Sequence, residues 1–200
     1  MSKLSADFYQ RDDVLLISRE LLGKVLCTNF HGKLTSGIIV ETEAYAGVTD
    51  KASHAYGGRR TKRTKTMYAS GGTAYVYPCY GVHHLFNIVT NNENIPHAVL
   101  IRAIQPLDGI DIILQRRKRK KVDQLLTVGQ GSLTQALGVT VKDSGTLLMN
   151  NLIWLEDQNF KIKNQDILAS PRVGVQYAGK DANNSWRFRI KGNPWTSPAP

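Results

Sequence analysis

The chain has 200 residues, 42% hydrophobic and 21% charged, a globular composition that excludes a disordered or fibrous protein and suffices for one hydrophobic core. Lys and Arg number 26 against 16 Asp and Glu, giving a net charge of +10 and a pI near 9.7. So basic a chain calls for an anionic polymer as partner, nucleic acid before a membrane surface.

The opening MSKLSADFYQRDD lacks the apolar stretch of a signal peptide, and no later run approaches the ~20 apolar residues of a membrane helix. Asp12 and Asp13 precede Val14, Leu15, Ile17, Leu21 and Leu22, closed by Gly23, which predicts a short amphipathic helix. KVLCTNF (24–30), HGK (31–33) and LTSGIIVETEAY (34–45) predict a strand, a turn and a strand. Cys27 in this hairpin and Cys79 form no C-x-x-C pair, so reduced thiols and a cytoplasmic location are expected. On the second strand, alternation puts Ile39, Glu41, Glu43 and Tyr45 on one face and Ile38, Val40, Thr42 and Ala44 on the other. The second set is a core face. The first is either a solvated polar edge or a carboxylate working beside an aromatic ring, and spacing alone does not choose between Glu41 and Glu43.

Residues 46–72, rich in Gly, Ser, Thr and basic side chains, read as a long irregular segment. Strands are predicted at 73–77, 84–89 and 97–104. Asp108 is placed to cap a helix running from Gly109 into the basic run RRKRKK (116–121), itself assigned to solvent and non-specific attraction. SLTQALG (132–138) predicts a short helix, and strands follow at 147–156, 172–179 and 186–192. The last alternates Trp186, Phe188 and Ile190 against Arg187, Arg189 and Lys191, one face packing and the other cationic. These elements define a mixed α+β fold, a single domain over residues 1–200 with a largely antiparallel curved sheet flanked by short helices.

Chemistry concentrates in three stretches. Around Glu43 and Tyr45, a carboxylate and a phenol lie two residues apart on a strand. In TAYVYPCYG (73–81), Tyr75 and Tyr77 share a face, and Tyr80 follows a Pro-Cys break that ends the strand at a turn. Tyrosines at this density either stack on bases or sit as amphipathic core residues. In HAYGGRRTKRTK (54–65), Arg59, Arg60, Lys62 and Arg63 follow a Gly-Gly pair, a pattern suited to phosphate contact or to a solvated loop. The five histidines (His31, His54, His83, His84 and His97) show no metal-ligand spacing, and neither a P-loop nor a Rossmann glycine pattern is present, so no metal or cofactor is expected.

Taken together and in order, VETEAY (40–45), HAYGGR (54–59), YVYPCYG (75–81) with Asn87, LIRA (100–103), RVGV..AG (172–179) and RF.I.G.PW (187–195) resemble the alkyladenine (3-methyladenine) DNA glycosylase family. The resemblance implies a repair enzyme that extrudes alkylated or deaminated purines from duplex DNA and hydrolyses the N-glycosidic bond, and the lack of a lysine beside the motif placed as an amine nucleophile predicts a monofunctional one. It implies Glu43 as the carboxylate that activates water, with Arg102 near the reacting water and phosphate. Tyr45, His54 and Tyr77 match the walls of the base pocket, and Asn87 a pocket amide that crowds the 2-amino group of guanine. Tyr80 matches the side chain that fills the gap left by the base. Where family members often carry Gly-Pro-Gly-Lys-Leu this chain has GQGSL (129–133), and Gln130 and Ser132 remove a proline and a cation. The expected partner is damaged double-stranded DNA, bound by a monomer. Without the resemblance, a non-catalytic module stacking bases on tyrosines, or an RNA-directed domain, accounts for the same basic and aromatic residues.

Overall fold

A computed structural model describes residues 2–81 and 83–197. The chain opens with β1 (Ser2–Lys3), a single turn α1 (Ala6–Tyr9) and the helix α2 (Val14–Glu20), whose N-terminus Asp13 caps by accepting the amide protons of Leu15 and Leu16 at 2.9 Å each. Next come β2 (Val25–Phe30) and β3 (Lys33–Tyr45), joined through His31 and Gly32 at φ 56° and 74°. Two left-handed residues in a hairpin turn match the twist of the strands they join. The chain continues through β4 (Ala74–Cys79), β5 (His83–Thr90), β6 (His97–Pro106), α3 (Ile110–Arg117), α4 (Gln130–Leu137), β7 (Ile153–Asp157), β8 (Ile167–Ser170) and β9 (Arg187–Ile190).

Among the described residues nine strands form one sheet in the order β1-β7-β2-β3-β6-β5-β4, with β9 pairing both β3 and β8, and every pairing is antiparallel. The long β3 is its spine. One end pairs with β2 and the other with β9, so the sheet curls where β3 changes partner, while β6 runs along its opposite edge. No helix among the described residues is long and apolar enough to cross a membrane.

Alternation along β4, β5 and β6 divides the interior. Ala74, Val76, Phe86, Ile88, Val99 and Ile101 join the main core with Ile17 of α2, Leu21 just after it, and Leu133 and Leu137 of α4. On the other face, Tyr75, Val89 and Ala98 pack with Ala55, Met67 and Tyr68. Segment 46–72 is therefore irregular, as expected, but held: three short 3₁₀ turns tied down by a small core of their own.

Six expectations need correction. The β3–β6 register shifts on both sides of Glu41, where Ile39 faces Ile104, Glu41 faces Ala103 and Thr42 faces Ile101. This bulge returns Ile39 to the main core with Ala44, off the face it shares with the two acids in a regular strand. Residues 147–152 are turns, because Asn150-Asn151 breaks the apolar run before β7 begins at Ile153. Residues 172–179 are not a strand either, since Gly174 and Gly179 take φ of 75° and 61°. Asp108 does not cap α3. Gly109 occupies the cap at φ 68°, and Asp108 Oδ2 accepts from Ser36 Oγ at 2.6 Å. Finally, the cationic face of β9 is not solvated throughout: Arg187 is fully buried, Arg189 is partly buried and Lys191 is exposed. The RRKRKK run is likewise anchored at its start: Arg116 donates to Thr35 Oγ1 and Ala136 O, and Arg117 to Leu126 O.

Candidate active site

Between the face of β4–β6 and segment 46–72 lies a cavity of about 480 Å³, within the range of small-ligand sites. Alternate strand residues floor it: Tyr75 and Tyr77, Leu85 and Asn87, Leu100 and Arg102, with Tyr45 from the end of β3. His54, Arg63 and Met67 close one side, Val173–Val175 and Tyr177 another, and Tyr80, His83, Gln130 and Gly131 complete the border.

The two acids of β3 separate cleanly. Glu41 Oε1 accepts from Arg102 Nε (2.9 Å), Arg187 Nε (2.7 Å) and Ser197 Oγ (2.8 Å), and Oε2 accepts from the Ser197 amide (2.6 Å). Burial pushes this carboxyl up, but the Ser197 amide and the two guanidiniums outweigh it and hold it below the usual carboxylate range. Glu41 is a saturated structural anion. Glu43 is also fully buried and does not itself line the cavity. It lies one side-chain layer below, since the groups that touch it all line the cavity: Tyr45 OH donates to Oε2 (2.9 Å), the Val173 amide to Oε1 (2.8 Å), and Arg102 Nη1 is 3.3 Å from Oε1. A carboxylate offers about four lone-pair directions. These contacts leave Oε2 with one spare acceptor position.

Burial, then Glu43, pushes the Tyr45 phenol well above its ordinary value, so it stays protonated and donates. Burial alone weakens the hold of Arg102 on its proton, but Glu43 and Glu41 outweigh it and keep the guanidinium above the usual arginine value. The wall residues are neutral. Burial, aided by Arg63 and Arg59, pulls His54 down to about 4, and its Nδ1 lies 2.9 Å from Tyr75 OH. The His54 ring meets Tyr77 edge-on at 4.7 Å. Burial likewise pushes Tyr75 up to about 12, and Tyr77 higher. Asn87 donates through Nδ2 to Tyr75 O (3.1 Å) and Leu85 O (3.4 Å), which fixes its amide against the floor.

At the border, Tyr80 is 93% exposed at φ 50°, followed by Gly81 at φ 72°. An exposed aromatic residue in the left-handed region costs about 1–2 kcal/mol. Of the four basic residues singled out in the sequence, Arg63 lines the cavity with its guanidinium 4.6 Å from the Tyr77 ring centre. Arg59, Arg60 and Lys62 are exposed outside the lining, Arg60 lying 3.8 Å over Tyr68 and bonded to Asn94. The sequence alone assigns no role to Val173, Asp50, Arg172, Arg187 or Ser197, although RVGV and RF.I.G.PW both carry part of the resemblance. Gln130 borders the cavity, and Ser132 Oγ accepts from Arg117 Nη2 at 3.0 Å, so a cation still stands at the start of α4.

The sequence profile of the methylpurine-DNA glycosylase family matches residues 7–194. The chain belongs to that family. Curated relatives named "Putative 3-methyladenine DNA glycosylase" include one from Chlamydia felis, 47% identical over 94% of this chain and 95% of its own length. Others are from Clostridium perfringens, 41% identical over 98% of each chain, and Desulfitobacterium hafniense, 40% identical over 98% and 99%. This methylpurine-DNA glycosylase is thus a DNA N-glycosylase of the base-repair class, which sets aside the non-catalytic and RNA-directed alternatives.

Proposed function

We propose that the enzyme acts as a monofunctional glycosylase, a monomer on double-stranded DNA, and that it extrudes alkylated or deaminated purines of the 3-methyladenine, 7-methylguanine, hypoxanthine and ethenoadenine class into the 480 Å³ cavity. Extrusion costs a few kcal/mol in lost stacking and pairing. Tyr45, Tyr77 and His54 form the walls and return about 1–3 kcal/mol per stacked base. The exposed Tyr80 fills the gap in the duplex, and Arg59, Arg60, Lys62 and Arg63 meet the phosphates. Many N-alkylated purines are cations, which electron-rich rings favour by about 0.5–2 kcal/mol and which a neutral His54 does not repel. Asn87, fixed against the floor, crowds a 2-amino group and excludes guanine.

In the chemical step, the base leaves with the electron pair of the glycosidic bond, water adds to C1′, and its proton passes to Glu43 Oε2. The Glu43 carboxylate also opposes the positive charge that develops on the sugar, and Arg102 orients the carboxylate and the neighbouring phosphate. Because Glu43 lies beneath Tyr45, Arg102 and Val173, the Tyr45 and Arg102 side chains shift to admit the water while the Val173 amide keeps its bond to Oε1. No lysine lines the cavity among the described residues, so no amine attacks the sugar and the product is an abasic site in an intact strand. One observation carries the reading: a carboxylate with a spare lone pair under an aromatic-walled cavity, beside a strained and exposed tyrosine.

The test is free-base release from duplexes that each hold one of the four lesions, followed by alkaline cleavage of the strand. Release from at least the methylated purines, with strand scission only after alkali, is the expected result. Scission without alkali contradicts the monofunctional mechanism, and no release from any lesion contradicts the whole.

A further inference from the structure

Segment 172–179 stands outside the roles assigned above, yet it grips Glu43 through the Val173 amide. What fixes that amide is the residue before it. Arg172 Nη1 donates to Asp50 Oδ2 (2.5 Å) and Ala44 O (2.9 Å), and Nη2 to Asp50 Oδ1 (2.9 Å) and Asp181 O (3.2 Å). Both side chains of the pair are wholly buried. The guanidinium also packs 4.8 Å from the Tyr45 ring centre and 4.9 Å from that of Trp186. Asp50 in turn accepts the amides of Ala46 (3.1 Å) and Ala52 (3.0 Å). The pair therefore buckles the outgoing end of β3 to the residue next to Val173.

We infer that Asp50 and Arg172 are positioning residues, which hold the Val173 amide on Glu43 and thereby fix the orientation of that carboxylate. This rests on the reading of Glu43 as the base. A turn that puts Gly174 at φ 75° immediately after Val173 has little of its own to keep the amide in place. The bidentate fork provides a fixed plane that a flexible ammonium lacks.

Other charged and titratable groups also face Glu43. They are Tyr45 and Glu41 on its own strand, Arg102 on β6 and Arg187 across the β9 pairing, with Tyr77 and Tyr177 at the cavity. Arg172 senses Glu43 electrostatically as well. Asp50 and Arg172 together are neutral, so replacing both charges at once changes the field at Glu43 little and isolates the loss of the amide grip.

The experiment compares wild type with the double variant Asp50→Asn, Arg172→Gln. Single-turnover base release from a 7-methylguanine duplex is followed at pH 7, with affinity for that duplex and for undamaged duplex measured alongside. The expected result is a rate about tenfold lower with unchanged affinity for both duplexes. Arg172→Lys keeps the charge and loses the fork, and lowers the rate by a smaller factor. If the double variant does not fold, Arg172→Lys carries the same readout. A folded variant with the wild-type rate, or one whose loss lies wholly in duplex affinity, overturns the inference. Absence of release by wild type overturns the reading of Glu43 itself, and the inference with it.

Discussion

Two glutamates two residues apart on β3 are expected to respond in opposite ways to the same substitution. The buried set Glu41, Glu43, Arg102 and Arg187 is neutral as a whole, and Glu41 carries most of its bonding, with four donors within 2.9 Å. Glu41→Gln removes the charge that both guanidiniums lean on and turns one acceptor into an amide facing donors. Breaking a buried pair in this way costs about 3–5 kcal/mol. For a protein of this size each kcal/mol moves Tm by about 2–4 °C, so Tm falls by roughly 6–20 °C. Glu43→Gln is different. Its Arg102 contact is long at 3.3 Å; of the other two donors, the Val173 amide keeps an acceptor in the Gln oxygen at Oε1, and the Tyr45 hydroxyl, which can donate or accept, turns to accept from the amide nitrogen at Oε2. Relief of its own buried charge offsets the weakened contact, so the expected change is within about 1 kcal/mol. Calorimetric melts of both variants at pH 7 decide it. Equal losses of Tm, or a larger loss for Glu43→Gln, refute the division of the two acids into a structural and a functional one.

Tyr80→Gly relieves the left-handed strain of about 1–2 kcal/mol and loses about 0.4–1 kcal/mol to a freer unfolded chain. The variant is expected to melt about 0–6 °C higher and to release base about five- to a hundredfold more slowly, with unchanged affinity for intact DNA. A lower Tm or full activity counts against the wedge. Asn87→Ser is expected to raise release of undamaged guanine relative to 7-methylguanine, and an unchanged ratio contradicts the crowding role. His54 predicts an acid-side loss of stability. Its folded value of about 4 lies below the 6.5 of a free imidazole side chain, so the unfolded state binds more protons between the two and stability falls as pH falls through that window. The full loss corresponds to about 3 kcal/mol below pH 4, and His54→Asn flattens the difference between melts at pH 7 and pH 4.5. The same slope in both proteins shows that His54 is not the source.

The local pattern of the chain was enough for the hairpin, the Asp13 cap, the helix closed by Gly138 and the paired faces of β4 to β6, because period and turn chemistry are near-neighbour properties. Failures came where a distant partner decides the outcome. Arg187 reads as a solvated cation on an alternating strand, and its burial follows from Glu41, 146 positions away. Arg172 lies in a stretch that scans as a strand, and its partner Asp50 is 122 positions off. The bulge beside Glu41 reassigns Ile39, and no property of IIVETEAY announces it. The candidate site was more legible than its support. Tyr45, His54, Tyr77, Asn87 and Arg102 all border one cavity, while the shell that seals Glu43 beneath it is a product of tertiary packing.

The central claim is that Glu43 activates the water that replaces the base. Its most direct measurement is single-turnover release of 7-methylguanine from duplex DNA by Glu43→Gln beside wild type, with binding to the same duplex recorded for both. Loss of release by at least a hundredfold with binding retained is what the account predicts. Release at the wild-type rate by a folded, DNA-binding Glu43→Gln contradicts it.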